Sequence, residues 1–306
     1  MCGIYGFINK TDKPISLATL KKVAIDTEKR GPHAFGLAWL DRRGRLHSFK
    51  SPGKISENLN VLKRVRNARI LIAHTRWATH GDPADNVNNH PHVSGKGMLV
   101  HNGVVPEYLE LMVKNNLDPI SDCDSEVLAL LIAQTTKSSL LKRVKRTIDQ
   151  TTGKLSIAGI WGKTLVLARR SMQPLHYKIN EGSVWFSSLG KHLPGSAGLY
   201  QVMDNYACSF TLVCNGKKVK IDDIDLKKKS RASMGFKNFP QPTGDRWVPQ
   251  TSKKTSTRIW PEPEKSGPIV TLPGRVPTGA IVTGKGNGWV EYDMPSKQWF
   301  ELMNTA

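Results

Sequence analysis

"MCGIYGFINK", residues 1–10, opens the chain with a cysteine directly behind the initiator methionine. Removal of Met1 is expected because the next side chain is small. The chain then begins at Cys2, which carries a thiol and a free α-amino group in one residue. Such a pair supplies a nucleophile and its own general base. The same stretch reads as a short apolar strand broken by Gly3 and Gly6, with Cys2 a small buried apolar residue. Taken alone, the decapeptide favours that second reading.

Outward from this strand, the first two thirds of the chain alternate strands and helices. "SLATLKKVAIDTEKRG" (16–31) starts at a Ser N-cap, holds apolar residues at helical spacing and stops at Gly31. "FGLAWLDRRGRLHSFKSPG" (35–53) predicts two strands joined near Arg43-Gly44. "ARILIAHTRW" (68–77) and "GMLVHNGVV" (97–105) are further strands, each leading into a polar corner. "SDCDSEVLALLIAQTT" (121–136) and "SLLKRVKRTIDQTTG" (139–153) read as helices, and short strand-like runs follow. Near residue 222 the composition turns to Pro, Lys, Ser and Thr with no sustained period, which is a linker or disordered composition. The expected division is 2–222 and 223–306, with "AIVTGKGNGWVEYDMPSKQWFELMNTA" (280–306) as a small hairpin or docking peptide.

The net charge of +20 is that of a chain attracted to polyanions. Much of it lies in Lys217, Lys218, Lys220, Lys227, Lys228, Lys229 and Arg231. Without interleaved aromatics this run reads as a solvated tail, with nucleic acid or an acidic partner as the alternative. The four cysteines, Cys2, Cys123, Cys208 and Cys214, form no CxxC pair, so reduced thiols and a cytoplasmic setting are expected. No run of about 18 apolar residues predicts a membrane span. The start lacks the basic n-region of a secretory signal.

Four corners hold the chemistry-bearing residues: Cys2-Gly3, "RGPHAFG" (30–36), "IAHTRWATHGDP" (72–83) and "NNHPHVSGKGMLVHNGVVPEY" (88–108), followed by "SDCDSEV" (121–127). In this order they are similar to the glutaminase domain of the class II (N-terminal nucleophile) glutamine amidotransferases, above all to the glutaminase half of the glucosamine-6-phosphate synthases. The resemblance is dense from Met1 to about Leu128 and fades near 222. It implies an α+β fold, the four-layered αββα sandwich of N-terminal nucleophile hydrolases, followed by a basic, largely irregular extension.

Amide hydrolysis needs a nucleophile, a proton shuttle, oxyanion donors and a clamp for the amino-acid end of the substrate. The resemblance assigns Cys2 as the nucleophile that forms a γ-glutamyl thioester and releases ammonia. It makes Asn102 and Gly103 the oxyanion corner, where one lost donor commonly costs ~10²–10³ in rate. Alone, Asn-Gly is an ordinary turn dipeptide. Arg76 takes the α-carboxylate of glutamine, a task suited to a planar fork. Asp124 takes the α-ammonium, its plainer reading being a helix N-cap. Trp77, Thr79 and His80 fall in a loop that closes over substrate, and Arg30 lies near the nucleophile. His33 and Ala34 depart from the family, which usually has Asp and Ser there.

No metal is expected: "HPH" is poorly spaced for two ligands on one ion, and no carboxylate or Cys cluster completes a set in the sequence. No cofactor is expected either. Residues 223–306 are fewer than the ~100–200 of a typical domain. They carry no pyrophosphatase loop or phosphoribosyl-binding signature, so a separate synthase is expected to accept the ammonia. Two other readings remain: an N-terminal-Cys hydrolase of another amide, and a binding module recruited to nucleic acid by the basic tail.

Overall fold

β1 (Gly3–Asn9) is buried along its whole length, because it is covered on both faces. Ile4 and Ile8 point one way into an apolar layer, and Tyr5 and Phe7 point the other way into a second. The computed structural model describes residues 1–134, 137–180, 183–195, 199–213 and 218–227, and the backbone of 281–285 and 289–294. After β1 come α1 (Leu17–Glu28), β2 (Ala34–Leu40), β3 (Leu46–Pro52), β4 (Ile70–Arg76), β5 (His92–Ser94) and β6 (Gly97–Gly103). Three helices follow, α2 (Tyr108–Lys114), α3 (Asp124–Gln134) and α4 (Leu140–Asp149). β7 (Leu155–Trp161), β8 (Thr164–Arg170), β9 (His176–Asn180), β10 (Ser183–Ser187) and β11 (Tyr200–Gln201) lead to β12 (Tyr206–Val213) and β13 (Lys218–Asp225). The last strands are β14 (Ile281–Lys285) and β15 (Trp289–Met294).

The strands form two antiparallel sheets. One runs β11-β9-β10-β1-β4-β2-β3-β15-β14, the other β13-β12-β8-β7-β6-β5. Between them lies a core of Ile4, Ile8, Ile72, Val100, Ile160 and Phe186 with their neighbours. α1 covers the outer face of the first sheet with Leu20, Val23 and Ala24. α2, α3 and α4 cover the outer face of the second through Leu111, Val127, Leu128, Val144 and Ile148. Three apolar layers between four layers of structure make the expected αββα sandwich. Ser16 accepts from Thr19 N–H at 3.3 Å, so α1 starts at its predicted cap.

Some features differ from expectation. α2 and a 3₁₀ helix at Ile55–Lys63 are not predicted. In α2, Leu109 and Val113 are exposed, which blurs the apolar period. Residue 222 lies inside β13, which stays paired with β12 from Lys218 to Asp225. Val219 and Ile224 anchor that strand to the sheet–sheet core and to the helix-covered core respectively. Further along, β15 pairs with β14 as a hairpin and adds to the edge of β3, Met294 opposite Leu46. No helix among the described residues is long and apolar enough to cross a membrane.

Phe186 is fully buried between the sheets. Phe186→Ala is expected to cost about 3–5 kcal/mol, read as a lower urea midpoint with unchanged slope. A loss below about 1 kcal/mol would mean the two sheets are not packed against each other there.

Candidate active site

The antiparallel pairing of β1 with β4 brings the start of one strand beside the end of the other, Gly3 opposite Thr75. Cys2 thereby meets the residue that follows Arg76. Trp77 N–H donates to Cys2 Sγ at 3.3 Å, and the thiol points back at Trp77 O, 3.4 Å away. Burial raises the thiol above its ordinary 9.0, and Asp124 adds to this. The Trp77 bond, the chain's terminal ammonium and Arg76 act in the opposite sense. Arg30, just past α1, donates from Nε to Cys2 O at 2.7 Å, so the peptide bearing the thiol is held from both sides.

A second tie crosses between the sheets. His74 Nε2 on β4 and His101 O on β6 lie 3.1 Å apart. The ends of β4 and β6 therefore share one edge of the sandwich, and Asn102 and Gly103 arrive there with them. Asn102 is buried, and its Nδ2 finds no partner among the described residues. Gly103 has φ 151°, and a Cβ there would stand 2.1 Å from Lys154 O, so no larger residue fits. Burial holds His74 at about 3 and His101 at about 4, which keeps both rings neutral at neutral pH. His101 Nδ1 lies 2.8 Å from Ser125 Oγ on the first turn of α3.

That turn delivers Asp124. Its carboxylate is buried and accepts from Val105 N–H at 2.6 Å, fixing the segment after β6 rather than capping its own helix. His80 Nδ1 approaches the other carboxylate oxygen at 4.0 Å. Arg76 is also buried. It donates from Nη1 to Asn89 Oδ1 at 2.7 Å and from Nη2 to Gly81 O at 3.1 Å and to His80 O. Trp77 and Thr79 are exposed on the same loop, and His80 is partly buried.

Two contacts here escape sequence reading. Asn89 holds the Arg76 guanidinium, and its only trace in the sequence is the polar run "NVNNH" (86–90). His33, where a carboxylate is usual, accepts Ala78 N–H on Nδ1 at 3.1 Å and packs on Trp77 with ring centroids 4.9 Å apart. An imidazole thus occupies the supporting position and orders the loop directly behind the Cys2 contact.

His90, His92 and Cys123 form a group of metal-capable side chains among the described residues, one ligand atom of each lying within 4.8 Å of the others. The absence of a Cys near "HPH" in the sequence is not an absence in space. Lys50 on β3 lies within electrostatic reach of Cys123, and burial lowers it to about 8. In the basic segment, Lys220 pairs with Asp222 at 3.0 Å, and β13 also carries Asp223 and Asp225. Its described part offers no basic stripe. Lys217, Lys228, Lys229, Arg231 and Cys214 lie outside the described residues.

Residues 1–165 match the family model of the class-II glutamine amidotransferases. A glutamine–fructose-6-phosphate aminotransferase (isomerizing) of Helicobacter pylori is 39% identical over 256 residues, covering 78% of this chain and 41% of that protein. The enzyme of the same name from Geobacillus kaustophilus is 35% identical over 192 residues, 60% of this chain and 31% of its own. The chain thus spans about a third to two fifths of these relatives. The fold is similar to that of the glutamine phosphoribosylpyrophosphate amidotransferase of B. subtilis, with a TM-score of 0.61 at 17% identity over 74% of this chain and 50% of that one. The matched residues include Cys2, Arg76, Asn102 and Asp124, and the chain belongs to the class-II glutamine amidotransferases.

Proposed function

We propose that the chain hydrolyses the side-chain amide of glutamine through Cys2 and passes the ammonia to an acceptor synthase. One observation supports this above the others: the Cys2 thiol is held at the Trp77 backbone within electrostatic reach of both Arg76 and Asp124. A free α-amino acid has one end of each charge, and a buried cation and a buried anion beside one thiol suit that pair of ends.

In this reading the glutaminase unit, expected to end at 222, runs on through β13 to Asp225, and 226–306 form a basic extension. With Met1 removed, the α-amine of Cys2 takes the thiol proton. The thiolate attacks the amide carbon of glutamine, with its oxygen facing Asn102 Nδ2 and the Gly103 N–H. The C–N bond breaks, and ammonia leaves with the proton returned by the α-ammonium. Water then cleaves the thioester, giving glutamate and the free thiol. Arg76 binds the α-carboxylate and Asp124 the α-ammonium, while Trp77, Thr79 and His80 close over the bound amino acid. Arg30 holds the Cys2 carbonyl throughout. The relatives' name makes fructose 6-phosphate their acceptor. Here the acceptor lies on a synthase domain or partner.

Cys2→Ala is expected to lower glutamate release by about 10³-fold or more in protein freed of Met1. Ammonia release at the wild-type rate would overturn the assignment. Asp124→Asn keeps an oxygen to accept Val105 N–H but loses the charge. It should raise the KM for glutamine about 10–100-fold, the worth of a charged hydrogen bond of ~1.5–3 kcal/mol, with kcat little changed. An unchanged KM would remove Asp124 from the clamp. His33→Ala should lower kcat/KM about 5–20-fold, and His33→Asn, which still offers an acceptor to Ala78 N–H, should recover most of it. Equal losses in both variants would show that the acceptor is not what matters.

A further inference from the structure

Beneath the clamp, the entry into β5 with its first residue, and the residue before α3, converge. His90, His92 and Cys123 are all buried, at 3%, 3% and 5% exposure. The two imidazoles approach edge to face, with centroids 4.6 Å apart and planes at 71°, so the two rings meet at one place. Among the described residues neither ring nitrogen of His90 has a hydrogen-bond partner, nor does His92 Nε2. A nitrogen left buried and unpaired has lost its hydration with nothing in return. One nitrogen from each ring and the Cys123 thiol lie within 4.8 Å of one another, a three-atom donor set for an acceptor of lone pairs.

The geometry points to a zinc site in which His90, His92 and Cys123 supply three ligands and a water the fourth. Two imidazoles and a thiolate suit a borderline-soft divalent ion, for which Zn²⁺ is the ordinary choice. Binding takes a lone pair from each neutral imidazole and one from sulfur, and the Cys123 proton leaves to solvent. The site's charge rises by one unit, since +2 arrives and one proton departs. Lys50 and Arg76 oppose that gain, and Asp124 and Glu126 on α3 offset it. Zinc–nitrogen and zinc–sulfur distances of about 2.0–2.1 and 2.3 Å place tetrahedral ligands about 3.3–3.7 Å apart. The 4.8 Å spread of the donors therefore shrinks by about 1 Å, a change within reach of side-chain torsions.

Such an ion would staple two parts of the site. His90 directly follows Asn89, the residue that holds Arg76, and Cys123 directly precedes Asp124. Asp122 N–H already donates to Asn88 Oδ1 at 2.8 Å, so the two segments touch before any ion is added. The ion fixes the spacing of a cation and an anion without touching either. This site goes beyond the glutaminase reading and does not depend on it.

The test uses the full chain, expressed with zinc supplied and purified without chelators. Elemental analysis should find about one zinc per chain after gel filtration, and a strong chelator should lower the Tm by several degrees, reversed by added zinc. Cobalt exchanged into the site should give a thiolate-to-cobalt charge-transfer band. Cys123→Ser and, separately, His92→Gln should each lower the zinc content to about 0.2 or less per chain, and Cys123→Ser should abolish the band. Should one variant fail to fold, the wild-type content and spectrum decide with the other. Wild-type zinc at or below about 0.2 per chain, or a cobalt band that survives in Cys123→Ser, would overturn the site and leave the nitrogens to ordered water. Glutaminase activity in protein purified without zinc would keep the function while the site fell, and bound zinc in protein without glutaminase activity would do the reverse, so the two readings fail separately.

Discussion

In the pairing of β1 with β4, Gly3 lies opposite Thr75 and Ile8 opposite Ile70, and every later feature of the site inherits that register. A slip of one residue would turn Ile4 and Ile8 away from the layer between the sheets and bring Tyr5 and Phe7 into it. Cys2 would then no longer face the Trp77 backbone. The register is held from several directions. A Cβ at Gly3 would come within 2.4 Å of Thr27 Cγ2 and 2.5 Å of Thr75 Oγ1, so α1, β1 and β4 close on a glycine that no other residue can replace without displacement. Because β1 is packed on both faces, its alternation is specified twice, once by each apolar layer.

On that frame the site separates charge from neutrality. Arg76 and Asp124 are buried ions, and each has hydrogen-bond partners: two carbonyls and an amide for the guanidinium, a backbone N–H for the carboxylate. A buried charge persists only with such partners. Around them His74, His90, His92 and His101 are all driven neutral by burial. Four imidazolium ions here would repel Arg76 at low dielectric, so deprotonation is what makes a histidine-rich wall compatible with a buried arginine.

Much of this was legible in the sequence because the informative residues sit at the ends of strongly apolar runs. "ILIAHTR" and "MLVHNG" each lead from a buried strand into a corner, and antiparallel pairing carries such ends to shared edges of a sandwich. Contacts between segments far apart in the chain were not legible. The bond of His33 Nδ1 to Ala78 N–H joins residues 45 apart, and the meeting of Cys123 with His90 and His92 spans more than 30 positions. No periodicity encodes such meetings. "HPH" reads as unsuited to one ion because Pro91 interrupts its spacing and no cysteine stands near it in the sequence, whereas in space the two rings meet at 71° with Cys123 beside them. β13 was obscured for a different reason: only Val219 and Ile224 anchor it, and its lysines and aspartates read as linker.

The bonds of Arg76 also constrain how the proposed substrate enters. Its Nη2 already donates to His80 O and Gly81 O, in the loop that follows Trp77. A carboxylate that takes this nitrogen must displace those carbonyls, so its binding is exchanged against the loop's present position. The exchange is favourable because a carboxylate is a stronger acceptor for guanidinium than a peptide carbonyl. Asn89 holds Nη1 throughout, so the guanidinium plane need not reorient as the loop releases it. In the proposed closure, the loop that moves is the one whose first residue donates to Cys2 Sγ and whose second donates to His33 Nδ1. In the proposed reaction, carboxylate binding at Arg76 is thereby coupled, through five consecutive residues, to the Cys2 thiol at the other end of the site.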